Sequence, residues 1–245
     1  MKRIGKSSFL PMAMVLFGSI AMMLRRQLYL TSLDAKGLLQ RGTFLEIMLL
    51  ALTAAVLCIV FLALRKDRGS DRYEDNYSAS IPSALGHVAA ATGIFTVCGM
   101  ASGAASYLGL LWQILGLAAP VCLVLAGIVR IFGKKPFFLL HIVPCLFLLV
   151  YILGSYQTWS SNPQLQDYLF AVLAALSLAL FAHYTAAFEA GLGSRKMVLG
   201  AGLAAVYLCL AELGWSDQPG LYFGGMFWAL TGMCNTVPAE KEEKD

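Results

Sequence analysis

The chain has 245 residues, of which 59% are hydrophobic and only 13% charged, and its mean hydropathy is +0.72. Soluble domains are about 45–50% apolar and about 25% charged, so this composition excludes a soluble fold. The formal charge of +4 does not indicate a nucleic-acid partner, because basic residues in so apolar a chain mark cytoplasmic loops.

Eight apolar segments bounded by charged residues, Gly, Pro or Asn are predicted to be membrane-spanning helices. In chain order they are Phe9 to Leu24, Phe44 to Leu64, Ser83 to Ser102, Tyr107 to Phe132, Pro136 to Tyr156, Leu165 to Ala187, Met197 to Leu213 and Leu221 to Val237. The sequence therefore predicts an all-α polytopic integral membrane helix bundle. We expect one transmembrane domain over residues 1–237 and a disordered, charged cytoplasmic tail over 238–245.

The distribution of Lys and Arg predicts how these helices are oriented, because basic loops are retained in the cytoplasm. One side of the eight-helix arrangement carries 14 of the 18 Lys and Arg residues, and the other side carries four. We therefore expect a multi-pass protein of the cell membrane with both termini in the cytoplasm. The basic start of the chain resembles a signal peptide, but no A-x-A site precedes Arg25 and Arg26, so we expect an uncleaved first helix.

Three histidines are the first candidates for chemistry, since ionisable side chains inside a bilayer are costly. His87, His141 and His183 are each predicted to lie roughly 6–8 Å inside the cytoplasmic edge, at 1.5 Å per helical residue. Together with the nearby Glu189, such a layer would bind a transition metal or relay protons. The alternative is that each histidine is an interfacial polar residue, bonded to a carbonyl group or a lipid headgroup.

A second candidate site lies at the outer edge. Glu46 begins the second predicted helix and Glu212 ends the seventh, while Arg25 and Arg41 flank the only basic loop on this face. These four residues are predicted to form a binding site for an anionic ligand. The alternative is an interfacial segment whose cations contact lipid phosphates or the two glutamates.

Small residues spaced four apart predict where helices pack closely. They occur in the third, sixth and eighth predicted helices, as Gly99 with Gly103, as Ala171 with Ala175 and Ala179, and as Gly224 and Gly225 with Ala229. Besides the lipid bilayer, other membrane proteins are expected as partners at the first two of these faces.

No catalytic, cofactor or nucleotide motif is present, and the six cysteines never form a C-x-x-C pair, so we expect no cofactor. We expect a transporter, or a subunit of a transport complex, for a small uncharged solute or a lipid. The alternative is a non-catalytic sensor or assembly partner that docks other membrane proteins. An enzyme using the histidines is disfavoured, because no carboxylate shares a helical face with a histidine.

Overall fold

The computed structural model describes residues 9–33, 39–40, 42–65, 71–77, 79–98, 107–159 and 168–234. Within these ranges the chain forms helices α1 (Phe9–Thr31), α2 (Phe44–Arg65), α3 (Tyr73–Asn76), α4 (Ile81–Cys98), α5 (Tyr107–Ile131), α6 (Leu139–Trp159), α7 (Leu169–Glu189), α8 (Arg195–Leu213) and α9 (Pro219–Cys234). Seven of them are long and apolar enough, by length and composition, to cross a membrane. The predicted all-α, multi-pass membrane fold is therefore confirmed.

The eighth predicted span corresponds to α9, which has 16 residues in the described part of the chain. A helix that crosses a bilayer needs about 20 residues, so α9 is not among the seven candidates. Pro219 stands at its first position, where proline is favoured because no amide hydrogen is required there. The predicted tail, 238–245, lies outside the described residues.

Six helices form a closed ring in which each packs against the next, in the order α4, α5, α6, α7, α8 and α9, and α9 packs back on α4. Helix α1 lies against α8 outside this ring, and α2 contacts α1 and α8. The span window of α2 is only 22% buried, whereas those of α7 and α8 are each 61% buried. Most of α2 is therefore available to lipid, and α7 and α8 are the most buried of the seven candidate spans.

The first helix is longer than predicted. The sequence indicated an end at Leu24, because Arg25 and Arg26 follow, but α1 continues to Thr31. Leu28 and Tyr29 are buried in this extension, so the apolar face of the helix runs past both arginines. Arg25 is accommodated because it has a buried partner, which is described below.

Two glycines end helices at the turns before α6 and α8. Gly133 and Gly191 adopt φ values of +66° and +79°. At each turn the next amide reaches back five residues, from Lys134 to Val129 (3.2 Å) and from Leu192 to Ala187 (3.0 Å). This pattern is the Schellman motif, which favours glycine because of its left-handed backbone.

Glycines also bring α4 and α9 close together. A Cβ atom at Gly224 would overlap the carbonyl oxygen of Ala89, and one at Gly93 would overlap that of Gly220. The small-residue face predicted on the last helix therefore packs against α4. The Ala171, Ala175 and Ala179 face is also buried inside the bundle. Gly99 and Gly103 lie outside the described residues.

Candidate functional site

Two of the three predicted histidines meet inside the bundle. His87 on α4 and His141 on α6 are both completely buried, and their Nε2 atoms lie 3.1 Å apart. Helix α5 lies between α4 and α6 in the ring. It makes room for His87 at Gly127, where an added Cβ atom would lie only 3.2 Å from the Cβ of His87. His183 does not join them: it is exposed on α7, beside Tyr184. The predicted three-histidine layer is therefore a pair.

Glu189 and Arg130 complete the cluster. The Oε2 atom of Glu189, in the last turn of α7, lies 2.8 Å from Nδ1 of His141. Its Oε1 atom accepts a hydrogen bond of 3.2 Å from Arg130, near the end of α5. Arg130 also donates a hydrogen bond of 3.3 Å to the hydroxyl of Ser83 on α4. Helices α4, α5, α6 and α7 thus each contribute a side chain to one buried polar network. We call the end of the bundle that contains this network the histidine end.

Aromatic rings enclose the network. The Trp228 ring of α9 lies parallel to that of His141, with centroids 6.0 Å apart, and meets the His87 ring edge-on at 5.8 Å. On the loop side, the Arg130 guanidinium lies 4.4 Å from the centroid of the Tyr77 ring. These rings shield the network from water on two sides, which strengthens every electrostatic interaction within it.

The segment that carries Tyr77 is attached to the bundle by polar contacts. The carboxylate of Asp71 accepts hydrogen bonds from the Arg195 amide (2.8 Å) and the Ser194 hydroxyl (3.3 Å). The Arg195 side chain donates to Asn76, which is buried within α3. Burial raises the pKa of Tyr77, so its phenol remains neutral over the physiological range. This segment is therefore a cover over the histidine end.

The contacts of the two histidines determine how many protons would be needed for each contact to be a hydrogen bond. Nδ1 of His87 lies 2.7 Å from the carbonyl oxygen of Ser83, which only accepts, so this nitrogen carries a hydrogen. One more proton is needed between the two Nε2 atoms, and another between His141 and Glu189. Two neutral imidazoles supply only two of these three protons. All three contacts are therefore hydrogen bonds only if the cluster holds one proton more than two neutral imidazoles supply.

The cluster suits proton binding better than metal binding. Among the described residues, no group of three or more His, Cys, Asp or Glu side chains is arranged to hold a metal ion. Glu189 contacts the Nδ1 side of the His141 ring, away from the Nε2 atoms that face each other. A site for a transition metal would need further ligands converging on those Nε2 atoms.

Three of the four residues predicted for the outer ligand site, Arg25, Glu46 and Glu212, lie at the other end of the bundle and have structural roles. Arg25 and Glu212 form a buried ion pair between α1 and α8. Glu46 accepts a hydrogen bond of 2.7 Å from the Gly42 amide, and its own amide donates to the Thr43 hydroxyl at 3.3 Å. This is close to a capping box at the start of α2. Arg41 lies outside the described residues.

The sequence places Glu189 near the predicted histidine layer but does not identify its partner, which is His141 on the neighbouring helix. Sequence reasoning did not connect Arg130 with the histidines. One signal was available: both residues lie inside the last turn of an apolar helix, where a charged side chain needs a partner.

Comparison with known proteins adds no family assignment. No protein-family model, no curated protein and no solved structure matches the chain.

Proposed function

We propose that this protein is a proton-linked transporter of the cell membrane, carrying a small uncharged solute or a lipid. One observation carries the proposal: the buried contacts of His87, His141 and Glu189 can all be hydrogen bonds only if the cluster holds one proton more than two neutral imidazoles supply. Histidine and carboxylate groups exchange protons in the physiological range when their surroundings are suitable. Buried ionisable groups of this kind mark proton pathways in membrane proteins.

Loss of the additional proton would change the contact between the two histidines. With Nδ1 of each ring carrying its hydrogen, two Nε2 lone pairs would face each other across 3.1 Å. Such a pair repels, and neither lone pair can reach water because both rings are completely buried. The protonation state therefore biases the positions of α4 and α6. Transport requires such a coupling, in which a bound ion shifts the balance between two helix arrangements.

Proton exchange needs a route from the aqueous phase. The covering segment, with Tyr77 over Arg130, lies at the histidine end, which the distribution of basic residues predicts to be cytoplasmic. The bundle holds this segment by hydrogen bonds to Asp71 and Asn76 and by the packing of Tyr73 and Tyr77 against Phe188. Opening of this segment would give the cytoplasm access to Arg130 and Glu189.

The alternative, docking of other membrane proteins, has weaker support. The Ala171, Ala175 and Ala179 face, which the sequence offered as a docking surface, is 4%, 1% and 2% exposed. It packs against the chain's own helices and leaves no surface for a partner.

The test uses the purified protein in liposomes that contain a pH-sensitive dye and carry an imposed pH gradient. A panel of uncharged solutes and a fluorescent lipid are added in turn. We expect at least one of them to accelerate the collapse of the gradient. His141→Ala should reduce this acceleration about tenfold or more, because the proton loses its carrier.

His183→Ala is the matched control, because it removes an exposed histidine outside the network. It should transport like the wild type. The proposal is contradicted if no member of the panel accelerates the collapse, or if His141→Ala and the wild type do so equally. Loss of transport in His183→Ala would move the proton site to α7.

A further inference from the structure

A groove of about 890 Å³ lies at the opposite end of the bundle, between the last turns of α1 and the turn that follows α8. Its apolar wall includes Met23, Leu30 and Leu213, and its polar groups include Arg26 and Asp217. We call it the α1–α8 groove. The close approach of the two elements forms its back, since a Cβ at Gly214 would overlap the carbonyl oxygen of Met22.

Arg26 and Asp217 give the groove one charge of each sign. Both side chains are exposed, and within the described residues neither takes part in a hydrogen bond or an ion pair. The neighbouring Arg25 differs, because it is buried and paired with Glu212. Successive helical residues point about 100° apart, so one arginine serves the fold and the next faces the groove. A cation and an anion in one cleft match a ligand that carries both charges.

The apolar wall connects the groove to the lipid phase. Met23 is 69% exposed and lies about one turn deeper than Arg26, on a helix that is long and apolar enough to span the bilayer. Trp215, on the groove wall, stacks on Tyr29 with ring centroids 4.8 Å apart. Such aromatic pairs favour the headgroup level of a membrane. The groove therefore extends from headgroup depth toward the hydrocarbon.

We propose that the α1–α8 groove binds a phospholipid whose headgroup carries a phosphate and a primary ammonium. The phosphate contacts Arg26, the ammonium donates hydrogen bonds to Asp217, and an acyl chain runs from Arg26 past Met23 toward the hydrocarbon. A free anionic ligand, predicted from the sequence, fits less well because Asp217 opposes it. A quaternary ammonium headgroup also fits less well, because it has no hydrogen to donate to the carboxylate.

The test measures lipid binding to delipidated protein by native mass spectrometry. The probes are phosphatidylethanolamine, phosphatidylcholine and phosphatidylglycerol with identical acyl chains. We expect phosphatidylethanolamine to bind about tenfold more tightly than the other two, as a charge-assisted hydrogen bond implies. Asp217→Asn should remove the preference over phosphatidylcholine. Arg26→Gln should weaken binding of all three lipids.

Glu46→Gln and Lys134→Gln are the matched controls, since each removes one charge outside the groove. Both should bind like the wild type, and thermal unfolding checks that every variant is folded. Equal wild-type affinities for the three lipids, tighter binding of phosphatidylglycerol, or a preference that survives Asp217→Asn would each overturn the proposal. Because the readout is binding and the variants lie far from His141, this result is independent of the proton-transport test.

Discussion

The ion pair between Arg25 and Glu212 offers a quantitative test of the structure. Both residues are only 3% exposed, so solvent does not screen either charge. Replacing Arg25 by Met keeps an apolar stem in place but leaves the Glu212 carboxylate buried without its cation. Breaking a buried pair in this way costs about 3–5 kcal/mol. We therefore expect Arg25→Met to lower the free energy of unfolding by this amount.

The reverse change should cost less. In Glu212→Leu the guanidinium of Arg25 still lies near two aromatic rings, 5.2 Å from the centroid of Phe170 and 5.7 Å from that of Tyr29. A cation over an aromatic ring retains about 0.5–2 kcal/mol of attraction. The double variant has no buried charge, and apolar replacements of a buried pair are often neutral or stabilising. We expect it to lie within about 1 kcal/mol of the wild type.

The assay is equilibrium unfolding in mixed micelles with an increasing fraction of denaturing detergent, followed by tryptophan fluorescence. Arg26→Met is the control, because it removes the adjacent arginine, which has no buried partner. It should change the unfolding free energy by no more than about 0.5 kcal/mol. The reasoning is refuted if Arg25→Met is as mild as this control, or if the costs of the two single changes simply add in the double variant.

Two further changes test the helix packing and the covering segment. Gly86→Ala places a Cβ atom against the Thr231 hydroxyl and 3.1 Å from Cα of Trp228. Overpacking of this kind costs about 1–3 kcal/mol, so the same detergent titration should give a lower unfolding midpoint. An unchanged midpoint would contradict the close packing of α4 and α9. Asp71→Asn weakens the hydrogen bonds to Ser194 and Arg195. The loss of about 1 kcal/mol should then make amide hydrogen exchange at residues 73–77 about five- to tenfold faster. Glu74→Gln is the control and should exchange like the wild type. Equal exchange rates in the two variants would contradict the role of Asp71.

The helices were largely predictable, because the apolar runs and their punctuation are local features of the chain. The start of α2 at Phe44 and the end of α8 at Leu213 agree with the sequence expectation. The end of α1 was wrong because two consecutive arginines normally end a membrane span. Here Arg25 finds its counter-charge on α8, 187 residues away, and no local pattern reports such a partner.

The candidate sites were less predictable, because depth along a helix can be read from sequence while azimuth cannot. The equal predicted depth of the three histidines did not distinguish His183, which faces outward, from the two that meet. At the other end, Glu46 was grouped with Glu212 for its charge. The sequence Thr-Phe-Leu-Glu at 43–46 already indicated a cap at the start of α2.

The two ends of the bundle use buried charge differently, and the difference supports the functional proposal. Arg25 and Glu212 compensate each other within one pair, so their contact needs no exchangeable proton. At the histidine end, one oxygen of Glu189 contacts Arg130 and the other contacts His141. In the proposed function, the contact between His141 and His87 depends on an additional proton. That link joins α4 to α6 across the inside of the ring, although α5 separates them along its circumference. Under the proposed function, a single proton therefore alters a contact between non-adjacent helices at the histidine end, while the ion pair between α1 and α8 remains intact.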